Sequence, residues 1–267
     1  MIGGPHDEEG SGPQLDFVET FDDPRLDDTR WVPHYLPQWT TPERSSARYD
    51  LDEDGLLLRI DVDQPAWREE DGGFRVSNIQ TGTFSGAIGS EIGTHRHVPG
   101  IRVRTPVPTR RLWTPTSGSV EATLEASADP TCMLAIWLVG FEASSPVDSG
   151  EICIAELFGN LIATDASTVR LGVKAINDPR LTTDVVDVTL PFDATEPHAY
   201  GAEWSADGVR FLIDGQLVRT VDQGVHYPMQ LMIDLFEFRP DGPVDATAYP
   251  KQARIRSVRG YRREARA

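Results

Sequence analysis

Two glutamates five residues apart, Glu151 and Glu156, occur in the segment Gly150-Glu151-Ile152-Cys153-Ile154-Ala155-Glu156-Leu157. Apolar residues alternate with Glu151 and Cys153, as on a strand with one face in a core and the other in a cleft. An odd spacing sends two side chains of a regular strand to opposite faces. A one-residue β-bulge between Cys153 and Glu156 returns both carboxyls to one face, and bulges collect beside active sites. Two carboxyls on one surface are what retaining glycoside hydrolysis needs. One attacks the anomeric carbon; the other, protonated, donates to the leaving oxygen, with roughly 5–5.5 Å between them. Like charges that close push their two ionisations apart, which suits one nucleophile and one proton donor. A solvent-facing sheet can carry the same pair, so the residues alone leave both readings open.

The elements that must position such a pair read as strands. Leu56-Leu57-Leu58-Arg59-Ile60-Asp61-Val62 follows an Asp54-Gly55 turn, and residues 131–139 read as a buried strand. Val209–Ile213 and Gln216–Arg219 flank Asp214-Gly215, a hairpin signal because both turn residues tolerate positive φ. Ala206-Asp207-Gly208 marks another turn just before it. The 20 prolines and 23 glycines are spread throughout, and no long amphipathic helical period interrupts them. Many short strands at close spacing predict an all-β sandwich. Residues 1–15 read as a flexible acidic tail, and 16–267 as one domain without repeats or a linker. Residues 91–117 read as a long loop or ribbon carrying His95, Arg96, His97, Arg102, Arg104, Arg110 and Arg111. That segment is either a solvated loop or a cleft wall that contacts polar or anionic sugar.

Composition narrows the partners. With 42 Asp and Glu against 25 Lys and Arg, the chain carries a formal charge of −17. Such a charge repels nucleic acid and anionic membranes, and a neutral polysaccharide is indifferent to it. Two cysteines, Cys132 and Cys153, provide no disulfide framework. No basic start followed by an apolar core is visible, so no signal peptide is read, and no apolar run approaches a bilayer-spanning length.

The segment Glu151-Ile-Cys-Ile-Ala-Glu156 resembles the Glu-x-Asp-x-x-Glu signature of glycoside hydrolase family 16, the laminarinases, lichenases and agarases. Gly150 and Phe158-Gly159 flank it as in that family. Ala135-Ile136-Trp137-Leu138 is similar to the strand whose tryptophan floors the family's cleft. Gly118–Ala122 looks like the strand before it, although Thr123 stands where arginine is usual. His198–Gly208, Phe211–Gly215 and Tyr227–Leu231 are similar to its later strands, so the likeness runs from about Phe17 to Tyr261.

The resemblance implies a concanavalin A-like jelly roll with a concave cleft. It implies that Glu151 is the nucleophile, that Glu156 is the acid/base, and that Cys153 occupies the position of the family's assisting Asp. Cysteine there removes one negative charge and one strong acceptor. Trp137 is expected to bind sugar, with Trp113 a second candidate, and Arg96 and Arg102 as contacts from the long loop. Trp204 reads as structural, and His198 and Asp214 are expected to fix the hairpin. Many members bind calcium through an early acidic residue and an Asp in the last strand. Here Glu19 fits the first role, but Arg256 replaces the second and could pair with Glu19. No metal and no cofactor are therefore expected. The implied function is a retaining hydrolase or transglycosylase that cuts internal β-glycosidic bonds of a polysaccharide. The alternative is a catalytically weak carbohydrate-binding protein on the same scaffold. The expected partner is the polysaccharide alone, bound by a monomer; the compartment stays open, extracellular by the resemblance if a signal peptide was removed and intracellular otherwise.

Overall fold

A computed structural model describes residues 14–239 and 245–262. Its strands are β1 (Gln14–Glu19), β2 (Arg48–Asp52), β3 (Gly55–Ile60), β4 (Arg75–Gln80), β5 (Gly82–Thr83) and β6 (Arg110–Arg111). There follow β7 (Gly118–Glu125), β8 (Cys132–Gly140), β9 (Glu151–Phe158), β10 (Ser167–Lys174) and β11 (Asp184–Leu190). The last five are β12 (His198–Trp204), β13 (Val209–Ile213), β14 (Gln216–Val221), β15 (Met229–Glu237) and β16 (Lys251–Arg262). The expected tail lies outside the described residues over 1–13. Its last two positions, Gln14 and Leu15, already belong to β1 and face Arg262 and Tyr261 of β16.

Apart from a small two-stranded pairing of β5 with β6, the strands form two antiparallel sheets. One runs β14-β13-β12-β7-β16-β3-β2, with β1 added along β16; the other runs β11-β10-β9-β8-β15-β4. Strand alternation sends Val120, Ala122 and Leu124 of the first sheet and Leu134, Ile136 and Leu138 of the second into a shared core. Each valine, leucine or isoleucine among them contributes roughly 1.5–3 kcal/mol by leaving water. This layered arrangement is a β-sandwich jelly roll. The Asp214-Gly215 hairpin forms as its residues predict, with φ of 48° and 72°. Asp214 Oδ2 meets His198 Nδ1 at 2.7 Å, and its Oδ1 accepts the Ala199 N–H at 2.9 Å, which pins that hairpin to β12. Among the described residues, no helix is long and apolar enough to cross a membrane.

The second sheet is buried on both faces over half its width. Met133, Ala135, Trp137 and Val139 of β8 and Met232 and Phe236 of β15 point away from the main core. Loops bring Tyr35, Leu36, Trp39, Trp67, Ile101 and Val103 over them, forming a second apolar cluster. The segment 91–117 thus supplies part of this cover. The other half of the same face, over β9, β10 and β11, remains open. There a groove of about 520 Å³ is lined by Glu156, Arg170, Lys174, Thr183, Val185, Val186 and Asp187.

Candidate active site

The bulge expected in β9 is present. Cys153 faces Trp137 and Ala155 faces Ile136, so Ile154 is the extra residue against β8. On the other side Glu156 pairs with Arg170 and Cys153 with Gly172. Gly172 absorbs the irregularity at φ +150°, where a Cβ would lie 2.1 Å from the Asp184 carbonyl oxygen. Ile152, Ile154, Ala155 and Leu157 enter the main core. Glu151, Cys153 and Glu156 consequently share the outer face, with a carboxylate oxygen of each glutamate and the thiol sulfur all within 4.8 Å of one another.

The start of β9 is fixed from below. Gly150 donates its N–H to Tyr227 Oη at 2.8 Å, and that hydroxyl donates to buried Asp178 at 2.8 Å. Arg180 holds Asp178 and Asp148 at 2.7 and 2.8 Å. A Cβ at position 150 would come within 2.4 Å of both Leu181 and Tyr227 Oη, so a side chain there would push Glu151 out of register.

Lys174, at the end of β10, stands opposite Glu151 in the strand register. Its Nζ lies 2.8 Å from Glu151 and 2.6 Å from Glu156. Burial of Glu151 raises its pKa, Lys174 opposes that rise, and Glu156 adds to it; the net direction is upward. Burial works against the charge on Lys174, yet Glu151 and Glu156 outweigh it and hold the ammonium above its ordinary value. The Cys153 thiol is pushed well above its ordinary range by burial and then by Glu156. It stays protonated, with its S–H directed to the Arg170 carbonyl oxygen at 3.5 Å, and has no thiolate to offer redox chemistry.

Trp137 lies beside this group, 6 % exposed, its indole N–H donating to Asp234. His95 meets its ring edge-on at 5.1 Å. Burial and then Glu151 keep Asp234 well above the usual carboxylate range, against the opposing Trp137 bond. Burial, followed by Asp234 and Glu151, likewise holds the Tyr35 phenol protonated. Burial, followed by His97 and Lys174, lowers His95 to about 3 and leaves it neutral. The Nδ1 of His95 and Oδ1 of Asp234 are buried without a hydrogen-bond partner.

Sequence reasoning missed Lys174, Asp234, Tyr35 and His95 as members of this group. Lys174 had a usable signal, because Thr168, Arg170 and Lys174 keep one face of the strand after Gly159-Asn160. The others reach the site through contacts between residues far apart in the chain, such as His95 on Trp137 and Trp137 on Asp234, which local pattern does not encode.

Two expected sugar contacts are elsewhere. Trp113 is 2 % exposed in the main core, packed on Phe17 at 5.2 Å and Trp204 at 6.3 Å. Gly260 leaves the space its ring fills, and its indole N–H donates to Asp16 at 2.9 Å. Arg102 is exposed and bonds Glu91 at 3.2 Å and the Gly89 carbonyl at 2.9 Å, away from the carboxyl pair. Arg96 is partly buried at the rim, held by Glu142 at 3.3 Å and the Pro146 carbonyl at 2.8 Å.

The Glu19–Arg256 pair does not form either. Arg256 bonds Glu125 and Asp54, whereas Arg30 lies 3.8 Å from Glu19. Glu19 also accepts the Phe21 N–H at 2.8 Å and the Trp31 indole at 3.2 Å. Donors and a guanidinium around that carboxylate do not fit a calcium ion.

Residues 112–237 match the family model described as "Glycosyl hydrolases family 16". This segment holds the whole bulged strand and its neighbours. Over that segment the chain is similar to glycosyl hydrolase family 16. Among solved structures, the chain is similar to the GlcNAcα1-4Gal-releasing endo-β-galactosidase from Clostridium perfringens, at 25% identity and a TM-score of 0.78. That match covers 98% of this chain, which spans 65% of the clostridial one. The laminarinase from Rhodothermus marinus is similar at 17% identity and a TM-score of 0.65, over 95% of this chain and 99% of that one. A laminarinase from Flavobacterium sp. UMI-01 follows at 16% identity and 0.62, over 93% and 100%. No curated protein sequence matches the chain. A fold shared with these structures therefore surrounds the residues whose geometry is described above.

Proposed function

We propose that the chain is a retaining glycoside hydrolase that cleaves internal β-glycosidic bonds of a polysaccharide. The observation that supports this reading is the bulge in β9, which puts Glu151 and Glu156 on one face with oxygens no more than 4.8 Å apart. Inverting enzymes hold their carboxyls roughly 6.5–9.5 Å apart to admit a water between them, and this pair is too close for that route. A laminarinase and an endo-β-galactosidase on the same fold agree with a glycan substrate.

Glu151 is the nucleophile in this reading, and Glu156 the acid/base. The Glu151 carboxylate attacks the anomeric carbon as the glycosidic bond breaks, while Glu156 passes its proton to the leaving oxygen. The Glu156 carboxylate then takes a proton from water, whose oxygen displaces Glu151 and regenerates both groups. Glu156 lines the open groove, so the departing portion of the chain would lie over β10 and β11. Trp137, with His95 and Tyr35, would close around the sugar that is attacked. Glu151→Gln should abolish release of reducing ends from laminarin, lichenan, agarose and carrageenan while leaving the fold intact. Glu156→Gln should lose about 10²–10⁴-fold on ordinary glycosides and retain activity on activated leaving groups.

A second reading, a carbohydrate-binding protein with weak turnover, is favoured by one observation. Lys174 bonds Glu156 as well as Glu151, a contact that a leaving oxygen would have to displace to reach Glu156. Sugar binding without reducing-end release in the wild type would select it.

A further inference from the structure

A glutamate that is 5 % exposed, with a second carboxyl within 4.8 Å, needs a compensating charge to act as a carboxylate. The central residue of the strand segment, Cys153, is an uncharged thiol and controls neither. Among the described residues, the cation in contact with both is Lys174. Arg170, opposite Glu156, is instead committed to Asp187 through two bonds of 2.8 and 3.2 Å. A lysine suits the task, because its ammonium carries three donors on a flexible stem and can meet two carboxylates at once.

We propose that Lys174 is the positioning residue of this site, fixing the Glu151 carboxylate for attack and holding Glu156 within reach of the same sugar. The proposal rests on the reading of Glu151 and Glu156 as the reacting pair. Charged and titratable groups facing Glu151 are Lys174 from β10, Glu156 and Cys153 from β9, Asp234 from β15, and Tyr35 from the loop before α1 (Pro42–Ser45). Asp234 and Tyr35 are neutral or negative in every protonation state, so neither can offset the Glu151 charge. Lys174 alone opposes the burial that drives Glu151 upward. During the first step the ammonium stays on Glu151 until the new ester bond removes that charge. It then remains with Glu156, which has become the carboxylate base.

The test needs no substrate. Carboxyl titrations of the ¹³C-glutamate-labelled protein, with resonances assigned through Glu151→Gln and Glu156→Gln, are compared among wild type, Lys174→Met, Lys174→Gln and Lys174→Arg. Loss of the charge in Lys174→Met and Lys174→Gln should move the Glu151 midpoint upward by about one unit or more, and Lys174→Arg should restore it. Lys174→Gln keeps a hydrogen-bond donor, so the comparison holds even where the methionine variant does not fold. An unchanged Glu151 midpoint in Lys174→Gln overturns the proposal. Unchanged titration with intact hydrolysis defeats the role of Lys174 alone, whereas shifted titration in a protein that cleaves no glycan defeats the hydrolase reading alone. Where turnover is measured, the acidic limb of kcat/KM should move upward with the Glu151 midpoint, a change that a purely structural lysine would not produce.

Discussion

The backbone N–H of His95 donates to the buried carboxylate of Glu142 at 2.5 Å, and both residues sit in the left-handed region, at φ 56° and 58°. Strain of this kind persists where surrounding structure enforces it, and here it sets His95 against Trp137.

The same contact has a pH consequence. Burial, opposed by the His95 N–H and by Arg96, raises Glu142 to about 7 from 4.5. An acid with a raised folded-state pKa binds its proton more tightly when folded. Its stabilising contribution is therefore complete below about 4.5 and is lost as pH rises through about 7. The full change is on the order of 3 kcal/mol. Urea unfolding at pH 4.5 and pH 8 should show wild type losing stability relative to Glu142→Gln across that window. Parallel pH dependences would contradict the assignment.

Cys153→Asp tests whether position 153 faces the pair. The side chain is 0 % exposed and lies within 4.8 Å of both glutamate oxygens. A third carboxyl there should shift the basic limb of the pH–rate profile upward. If the site is limited by lacking that group, turnover rises, and a tenfold gain corresponds to about 1.4 kcal/mol of barrier. Burying the new carboxyl should cost about 1–2 kcal/mol of stability. Identical pH–rate profiles for the two proteins would place position 153 outside the reacting group.

How much of this was legible beforehand varies from residue to residue. The bulge was readable because Glu151 and Glu156 have odd spacing while Ile154 and Ala155 are consecutive apolar residues. The Asp214-Gly215 hairpin was readable because its turn chemistry is local. Trp113 was not, since an indole suits a sugar cleft and a core equally, and the space that receives it belongs to Gly260, almost 150 residues later. Arg256 was given to Glu19 by family position, but β16 pairs with β7 and delivers it to Glu125 instead. Lys174 required knowing that β10 runs back along β9 in a register that sets it opposite Glu151.

Trp113→Ala should cost about 3–5 kcal/mol in denaturant unfolding, as expected for a buried indole in the main core. Sugar affinity of the folded fraction should be unchanged. A selective loss of binding with stability preserved would return Trp113 to the cleft.

Chelator treatment should leave the melting temperature unchanged, because Glu19 already bonds Phe21, Trp31 and Arg30. A rise of several degrees on adding calcium would contradict this, since an ion that binds only the native state must stabilise it.

The central claim, that Glu151 and Glu156 act as a retaining pair, is tested most directly by following the anomeric configuration of newly released ends. Proton NMR is recorded during digestion of each polysaccharide in the panel, by wild type and by Glu151→Gln. The account predicts that β-configured reducing ends appear first, that the α form grows in only by mutarotation, and that Glu151→Gln releases neither. First appearance of the α anomer, or undiminished release by Glu151→Gln, would contradict it.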